Sequence, residues 1–259
     1  MSQNSYSAAE RRDFAHKLLR EQGHVTVSEL SDELGVSEVT IRKDLSYLED
    51  YNLLLRTHGG AILPDRFVYD RPFEEKAKQH SEEKSRIGKE AAKLVKDDND
   101  TLFLDAGTTI IQVARNLAQK KNLMVVTNAV NVSLELLTRT DAEVLMLGGM
   151  LRSTSASVVG RFAEEMINQH ACSKLFLGVD GFDLNYGLTT THPLEAHVNQ
   201  LMIENSEQTI VVTDSSKFGR RGLSRICRID AINTVITDKD APELTINKLE
   251  KAGIECRLV

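Results

Sequence analysis

The run from Val25 to Ala61 constrains the fold of this chain more than any other part of its 259 residues. Thr26 and Glu29 have the spacing of a capping box, in which a hydroxyl and a carboxylate bond to the free amides at the start of a helix. Gly35 supplies the left-handed backbone that often ends a helix, and Ser37 is a typical cap for the next one. The run therefore predicts two short helices joined by a tight turn.

The second of these helices separates apolar from polar side chains. Ile41, Leu45 and Leu48 recur at spacings of four and three, so they face the core. The side chains left on the outward side are Thr40, Arg42, Lys43 and Tyr47. In helix-turn-helix proteins the N-terminal end of the second helix enters the major groove, where Arg or Lys reaches guanine acceptors and Thr contacts a thymine methyl. We therefore predict that this end, which also carries Ser37, reads bases.

A short hairpin follows the second helix. Leu53–Thr57 is predicted as a strand, 58–60 as a turn and Ala61–Leu63 as the return strand. Such a wing carries Arg56 and His58 toward the DNA backbone or the minor groove. A pair of amphipathic helices with a glycine turn also occurs in proteins that do not bind DNA, and the added wing weakens this alternative.

Two short motifs in this region resemble those of the DeoR family of bacterial sugar-responsive transcription regulators. They are TIRKDL at Thr40–Leu45 and RTHGGA at Arg56–Ala61. Ala15 and Asn52 depart from the family pattern, but neither lies on the predicted reading face. The resemblance implies a winged helix-turn-helix domain whose DNA-binding residues are Ser37, Thr40, Arg42, Lys43, Tyr47, Arg56 and His58.

The charge of the chain argues against strong non-specific attraction to DNA. The formal net charge is −6, and residues 1–60 hold seven basic and ten acidic side chains, a net charge of −3. Phosphate attraction depends on where the charges lie, and Arg42, Lys43 and Arg56 lie on the predicted reading surfaces. We therefore expect modest non-specific affinity, reliance on base contacts, and a homodimer or homotetramer that duplicates those contacts.

Composition and the spacing of ligand-type residues exclude several classes of protein. Hydrophobic residues make up 41% of the chain and charged residues 27%, which is ordinary for a globular protein. Cys172, Cys227 and Cys256 have no paired spacing, and His192 and His197 are poorly spaced for one helical face. We therefore expect no disulfide, no metal site and no cofactor. No apolar run approaches the roughly 18 residues of a membrane span, so we expect no membrane partner and a cytoplasmic location.

The chain divides at a polar stretch that contains two prolines. We predict a winged helix-turn-helix DNA-binding domain at residues 1–63, a linker at 64–80 and an α/β effector-sensing domain at 81–259. Within the linker, Arg71–Phe73 resembles a segment that packs on the effector domain in the DeoR family.

After residue 81, predicted helices alternate with short apolar strands, which is typical of a parallel sheet buried on both faces. The predicted strands are Thr101–Leu104, Leu123–Val126, Glu143–Leu147, Lys174–Leu177, Thr209–Val212 and Thr234–Ile236. Small and polar residues follow them, in the sequences DAGTT, TN, GG, GVDG, TDSSK and TD. Because ligands of open α/β sheets bind outside the carboxyl ends of the strands, a pocket is expected there.

The first of these loops is the best candidate for binding phosphate. Gly107 permits close backbone approach, and Thr108 and Thr109 add hydroxyls. A helix beginning near Ile110 would point its amides at an anion. The loop matches neither GxGxxG nor GK[ST], so a small phosphorylated metabolite fits better than a dinucleotide or nucleoside triphosphate, with Lys217 as a second charge partner. The alternative is that glycine and threonine only make tight strand-to-helix turns.

This half of the chain also resembles the DeoR effector domain, which is related in fold to ribose-5-phosphate isomerase and glucosamine-6-phosphate deaminase. FLDAGTT, VVTN, LGG, GVDGF and TDSSKFG carry the resemblance, which covers nearly all of Lys84–Val259. It implies an α/β domain with a Rossmann-like parallel sheet of the sugar-phosphate isomerase type. It also implies a pocket for a phosphorylated sugar lined by Asp105, Gly107, Thr108, Thr109, Asn128, Gly149, Asp180, Gly181 and Lys217.

A sugar-phosphate isomerase or deaminase with an appended DNA-binding head is the alternative function. Isomerases move a proton with a positioned carboxylate, helped by a cation that stabilises the enediolate. Asp180, Asp183 and Glu195 could supply carboxylates. However, Asn185–His192 contains no Lys or Arg where the isomerases place a catalytic lysine, and Leu184 replaces the glutamate of their motif. We therefore expect binding without catalysis.

These features predict a homo-oligomeric transcription regulator, and we expect a repressor. The winged head would bind operator DNA, and the α/β domain would bind a phosphorylated sugar that relieves or modulates repression. The sequence leaves open the identity of the sugar, the operator sequence, the sign of regulation and the choice between dimer and tetramer.

Overall fold

A computed structural model describes residues 6–22, 24–51, 53–62 and 68–259. The side chains of residues 20–21 are outside this description. The chain forms two compact units, Met1–Arg66 and Phe67–Val259. The predicted end of the return strand at Leu63 and residues 64–67 of the predicted linker lie outside the described residues.

The described part of the first unit contains three helices and three short strands. They are α1 (Ala8–Gln22), β1 (His24–Thr26), α2 (Val27–Leu34), α3 (Glu38–Asp50), β2 (Leu55–Thr57) and β3 (Gly60–Ile62). The strands form an antiparallel sheet in the order β1-β3-β2, so β2 and β3 make the predicted wing hairpin.

The predicted caps of α2 and α3 are confirmed. The Thr26 hydroxyl accepts a hydrogen bond from the Glu29 amide (3.1 Å), and the Glu29 carboxylate accepts one from the Thr26 amide (3.2 Å). Gly35 ends α2 with a φ of 63°, and the Ser37 side chain accepts from the Thr40 amide at the start of α3. The turn between the two helices is therefore fixed by local bonds.

The core of this unit is built on the predicted apolar face of α3. Ile41, Leu45 and Leu48 are almost completely buried. They belong to one cluster with Leu30 of α2 and Leu54, which precedes the wing. The cluster explains why α3 presents its opposite face to solvent.

The wing differs from the sequence prediction at its start and in the strand that pairs with it. The first strand begins at Leu55 and not at Leu53, because the Leu53 amide still donates to the Leu48 carbonyl (2.9 Å) and closes α3. The sequence does not predict β1, which pairs with the return strand. The two strands approach so closely that a Cβ on Gly60 would lie 2.0 Å from the Val25 carbonyl oxygen, so this position requires glycine.

The second unit contains seven helices and twelve strands within residues 68–259. The helices are α4 (Phe73–Lys78), α5 (Ser81–Ala92), α6 (Thr108–Arg115), α7 (Val130–Arg139), α8 (Arg161–Ile167), α9 (Pro193–Glu204) and α10 (Glu243–Lys251), with short 3-10 turns at Ser215–Lys217 and Ile229–Ala231. The strands are β4 (Thr101–Leu104), β5 (Met124–Thr127), β6 (Glu143–Met146), β7 (Met150–Arg152), β8 (Ser157–Val159), β9 (Cys172–Leu177), β10 (Gly181–Asp183), β11 (Gly187–Thr190), β12 (Ser206–Val212), β13 (Ser224–Cys227), β14 (Thr234–Thr237) and β15 (Glu255–Leu258). Across the described residues, no helix combines the length and apolar composition needed to cross a bilayer.

A seven-stranded sheet organises this unit. Its strand order is β15-β14-β12-β9-β4-β5-β6, and every neighbouring pair is parallel. Both faces are covered by apolar clusters, because Phe103 packs into one cluster while Leu102 and Leu104 pack into the other. The parallel sheet buried on both faces is therefore confirmed, and β15 is an edge strand that the sequence prediction lacks.

Two small antiparallel sheets lie outside this main sheet. They consist of β10-β11-β13 and of the hairpin β7-β8. Neither is predicted from the sequence, because their strands are only three or four residues long and are interrupted by polar turns. They matter for function because the loops beside them border the carboxyl end of the main sheet.

Residues 68–80, called the strap below, pack on the rest of the second unit. The Val68 amide donates to the Arg221 carbonyl (2.8 Å), and the Phe73 amide donates to the Thr154 carbonyl (2.9 Å). The Phe73 ring packs against one of the two apolar clusters. The described part of the predicted linker therefore lies against the α/β unit.

Candidate functional site

A cavity opens at the carboxyl end of the main sheet. Its walls include the loops after β4, β9 and β12, together with residues of the strap and of α5 and α9. It encloses about 750 Å³ of empty space, counting the solvent at its mouth. This position is where open α/β sheets bind ligands.

One wall of the cavity is the N-terminal turn of α6. Gly107 caps this helix with a φ of 149°, and the Ile111 amide makes the first helical bond to the Gly107 carbonyl (3.1 Å). The amides of Thr108, Thr109 and Ile110 therefore precede the i to i−4 ladder of bonds. A helix N-terminus of this kind attracts an anion.

Lys217 adds a cation to the same cavity. It ends the 3-10 turn that follows β12, where the Asp214 side chain accepts from the Ser216 amide (3.1 Å). Among the described residues, no carboxylate lies within 4 Å of the Lys217 ammonium. The ammonium is therefore available to an anionic ligand.

A buried carboxyl group lies deeper in the cavity. Asp105 is 4% exposed and accepts from the Gly178 amide (3.3 Å) and from Nδ2 of Asn199 (3.4 Å). Burial raises the pKa of Asp105 to about 8, and the nearby charge of Glu195 acts in the same direction. The carboxyl is therefore mostly protonated at pH 7. Within the described residues, the buried Oδ1 of Asn199 has no hydrogen-bond partner.

Asp180 is held in the opposite protonation state. It pairs with the Lys76 ammonium (3.0 Å) and accepts from the Thr190 hydroxyl (3.0 Å). Burial raises the pKa of Asp180, but the charges of Lys76 and Lys217 outweigh it, so the pKa lies below its ordinary value. The cavity thus holds one protonated and one ionised aspartate side by side.

A further ion-pair network joins the strap to the wall. Arg152 pairs with Glu195 (2.6 Å) and with Asp70 of the strap (2.7 Å), and its guanidinium also donates to the Thr154 hydroxyl (3.1 Å). We call this arrangement the Arg152 bridge. Glu195 and Thr154 both line the cavity, so the bridge connects the ligand space to the strap.

Lys84 is a cavity residue that the sequence reasoning missed. It is 3% exposed and donates to the carbonyl oxygens of Lys76 and Gln79, each at 2.6 Å. Burial lowers the pKa of its ammonium to about 8, although Asp214 acts in the opposite direction. Its position three residues before the buried Ile87 places a lysine on the apolar face of α5, and this spacing was the available signal.

The structure brings six of the nine predicted effector residues to the cavity. They are Asp105, Gly107, Thr108, Thr109, Asp180 and Lys217. Asn128 is buried instead beside the β7-β8 hairpin, where its carbonyl accepts from the Val158 amide (2.7 Å). A Cβ on Gly149 would lie 2.7 Å from the Val159 carbonyl oxygen, and one on Gly181 would lie 2.6 Å from a carbonyl oxygen. Close backbone packing therefore explains why both positions are glycine. Asn128, Gly149 and Gly181 do not line the cavity.

The predicted base-reading residues lie at the N-terminal end of α3. Ser37 caps the helix, and its hydroxyl is 3.0 Å from the Thr40 hydroxyl. Arg42 and Lys43 are exposed, and Arg42 forms an exposed ion pair with Glu38 (2.6 Å). An exposed pair of this kind contributes little to stability, so Arg42 can exchange its partner for DNA at small cost.

Tyr47 and Arg56 are engaged by neighbouring side chains. The Arg12 guanidinium stacks on the Tyr47 ring at 3.6 Å from its centroid. Arg56 donates from Nη1 to the Ser46 hydroxyl (3.4 Å), so its side chain lies along α3. His58 is exposed in the wing turn. Tyr47 thus supports the helix from the side of α1, whereas His58 is free to reach outward.

Two residues near the reading surface were missed by the sequence reasoning. Val39 is 60% exposed at the N-terminal end of α3, where an apolar side chain suits contact with a thymine methyl. Asp44 is 3% exposed and accepts from Arg11 (2.8 Å) and Arg12 (2.9 Å) of α1. A polar residue on the inner side of the helix was the signal for Asp44, and no polar pattern marks Val39.

Comparison with known families gives two matches that together cover most of the chain. The model of the DeoR-like helix-turn-helix domain matches residues 11–67, and the model of the DeoR C-terminal sensor domain matches residues 79–239.

Individual relatives are similar over nearly their whole length. A putative aga operon transcriptional repressor of Escherichia coli O157:H7 is 38% identical over 253 residues, which are 97% of this chain and 94% of that protein. A glycerol-3-phosphate regulon repressor of Escherichia coli K12 is 35% identical over 93% of this chain and 95% of that protein. Among solved structures, ribose 5-phosphate isomerase A of Methanocaldococcus jannaschii is 16% identical, with a TM-score of 0.41 over 54% of this chain and 55% of that one.

Proposed function

We propose, on the premise that this chain belongs to the DeoR family of transcription regulators, that α3 and the wing read its operator and that the cavity binds the phosphorylated sugar to which it responds. The chain is a DNA-binding repressor of a sugar operon and not an enzyme, as its family and its relatives are transcription regulators. The isomerase or deaminase alternative is set aside on the same ground.

The observation that most supports the effector site is the convergence of anion-binding groups in the cavity. The first turn of α6, Lys217 and Lys84 all line it, and Lys217 has no carboxylate within 4 Å among the described residues. Phosphate is an anion that a helix N-terminus and ammonium groups bind well. We therefore place the phosphate of the effector between Lys217 and the amides of Thr108 and Thr109.

We place the sugar end of the effector against the side chains of Asp105, Asp180 and Asn199. Asp105 is mostly protonated at pH 7 and can donate a hydrogen bond, while Oδ1 of Asn199 can only accept one. Asp180 is ionised and accepts. Neighbouring hydroxyls of a sugar both donate and accept, so they match this mixture better than an apolar ligand does.

The proposed DNA contacts divide by element. Ser37, Thr40, Arg42 and Lys43 present the N-terminal end of α3 to base edges, with Val39 as an apolar contact. Arg56 and His58 present the wing to the backbone or minor groove. Tyr47 acts through Arg12 and the orientation of α3.

A thermal-shift screen tests the effector site. The full chain is heated with hexose 6-phosphates, pentose 5-phosphates and triose phosphates, and with the same sugars lacking phosphate. A ligand present at 100 times its Kd should stabilise the folded chain by about 2.7 kcal/mol. Stabilisation by one phosphosugar but not by its unphosphorylated form supports the proposal. The absence of any phosphate-dependent shift contradicts it.

We also propose a homodimer or homotetramer that acts in the cytoplasm. Paired heads double the base contacts, which compensates for the acidic charge of residues 1–60. Light scattering coupled to size exclusion distinguishes two copies from four, and a monomer bound to operator DNA would contradict the proposal.

A further inference from the structure

The strap contacts the rest of the second unit partly through residues that line the cavity. No residue of its helix α4 is fully buried, and the Phe73 ring is partly buried against one apolar cluster. The Phe73 amide bonds to the carbonyl of Thr154, and Lys76 pairs with Asp180. The Arg152 bridge holds it as well. Thr154 and Asp180 both line the cavity, so the points at which the strap is fixed border the ligand space.

Lys84 holds the strap in a different way. It belongs to α5, and its ammonium reaches the backbone carbonyls of Lys76 and Gln79 at the end of α4. An ammonium group has three protons, and these two bonds use two of them. Within the described residues, no carboxylate lies within 4 Å of the group, which also lines the cavity. The third proton is thus available to an anion in the cavity.

We propose that Lys84 binds the anionic group of the effector and, through the carbonyls of Lys76 and Gln79, fastens the strap when the cavity is occupied. This inference rests on the proposed function, because it requires an anionic effector in this cavity. The ammonium is a charged donor, so its bonds to the two carbonyls are strong, and an anion bonded to the third proton would hold the group in place against both carbonyls.

The strap lies at the start of the second unit in the sequence. The strap begins one residue after Phe67, where the second unit starts. Coupling is reciprocal, so an effector that fastens the strap must itself bind more tightly when the strap is fastened. The effector would therefore control the order of the chain segment that follows the DNA-binding unit.

The test compares Lys84→Gln with the wild-type chain and with Lys89→Gln, which removes an exposed lysine from the same helix. The probes are inorganic phosphate and the phosphosugar that gives the largest thermal shift. Titration gives Kd, and hydrogen exchange measured by mass spectrometry on the full chain follows peptides of residues 68–80. We expect the affinity of Lys84→Gln to fall roughly 10- to 100-fold. We also expect the ligand to slow strap exchange in the wild type and in Lys89→Gln but not in Lys84→Gln.

Several outcomes would overturn the inference. Equal affinity and an equal strap response in Lys84→Gln would remove Lys84 from the site, and lost affinity with an intact strap response would separate binding from fastening. If Lys84→Gln does not fold, Lys84→Met replaces it. In addition, a phosphosugar that binds the wild type without slowing strap exchange refutes the coupling without any variant. If no phosphosugar stabilises the wild type at all, the proposed function itself has failed.

Discussion

The DNA-reading surface and the effector cavity hold their charges in opposite ways. On the reading surface, Arg42 and Glu38 form a pair whose side chains are about half exposed. In the cavity, Lys84 and Asp105 are almost completely buried, and both have pKa values near 8. Exposed pairs exchange partners at little cost, whereas buried charges are fixed by their surroundings. The first arrangement suits a surface that must release and rebind DNA, and the second suits a site that must report on one ligand.

Replacing Asp44 with Ala should have the largest effect. Asp44 is a buried charged residue of the first unit, whereas the charges on the reading surface are exposed. Its buried carboxylate bonds to Arg11 and Arg12, and its loss should lower the free energy of unfolding of the first unit by about 3 kcal/mol. Hydrogen exchange of α1 and α3 peptides in the full chain measures this, with the exposed Asp32→Ala as the control. Unchanged exchange would mean that the fold of the first unit does not depend on the buried Asp44 carboxylate.

Replacing Lys217 with Ala should be next in size and confined to the cavity. Losing one charge-assisted bond to phosphate should weaken the binding of the phosphosugar by about 2 kcal/mol, or roughly 30-fold. Operator binding without the sugar should stay the same. Lys239→Ala, which removes an exposed lysine after β14, is the matched control. If both variants lose affinity equally, general charge and not the cavity attracts the effector.

The sequence predicted the features that depend on residues close together in the chain. The capping box of Thr26 and Glu29, the turn at Gly35 and the apolar face of α3 depend on residues fewer than eight apart, so local rules were sufficient. The six predicted strands of the main sheet were recognisable for a similar reason, because each is a short apolar run.

Features made by distant parts of the chain were not predictable. Strand β15 is recognised only by its pairing with β14, and Gly149 and Gly181 owe their presence to backbone contacts across loops. Lys84 lies on the apolar face of α5, which is a local signal, but its bonds to the carbonyls of Lys76 and Gln79 and its place in the cavity come from the tertiary fold. The sequence therefore pointed to Asp105, Gly107 and Lys217 and to the carboxylate of Glu195 in α9, while Lys84 of α5 was missed.

Replacing Arg42 with Ala tests the exposed side of the comparison. Its loss should weaken operator binding by about 1.5 kcal/mol, provided that it reads a base, and relax the preference at one position. Fluorescence anisotropy at fixed salt with operator and with unrelated DNA measures both effects. Lys17→Ala removes a comparable exposed charge from α1. Equal losses on the two DNAs would assign Arg42 to phosphate contact.

Replacing Asp105 should give the smallest change, counted as free energy of unfolding per pH unit. It is also the most direct test of whether the cavity is desolvated. The Asp105 pKa of about 8 in the folded chain exceeds the ordinary value of about 3.9, so between pH 5 and pH 8 the folded state keeps a proton that the unfolded chain has released. The stability that Asp105 contributes is therefore complete below pH 4 and is lost as the pH rises toward 8. Asp105→Asn does not titrate, so its free energy of unfolding should fall less steeply over this range, by about 1 kcal/mol per pH unit.

Unfolding curves of the wild type, Asp105→Asn and the exposed control Asp141→Asn at pH 5, 6, 7 and 8 measure the difference between slopes, in which the other titrating groups cancel. The control should run parallel to the wild type. If Asp105→Asn also runs parallel, Asp105 is ionised in the folded protein and the cavity interior is as well solvated as the reading surface. The contrast between a solvated DNA surface and a desolvated ligand site would then not hold, and the protonated carboxyl could not serve as a hydrogen-bond donor to the sugar.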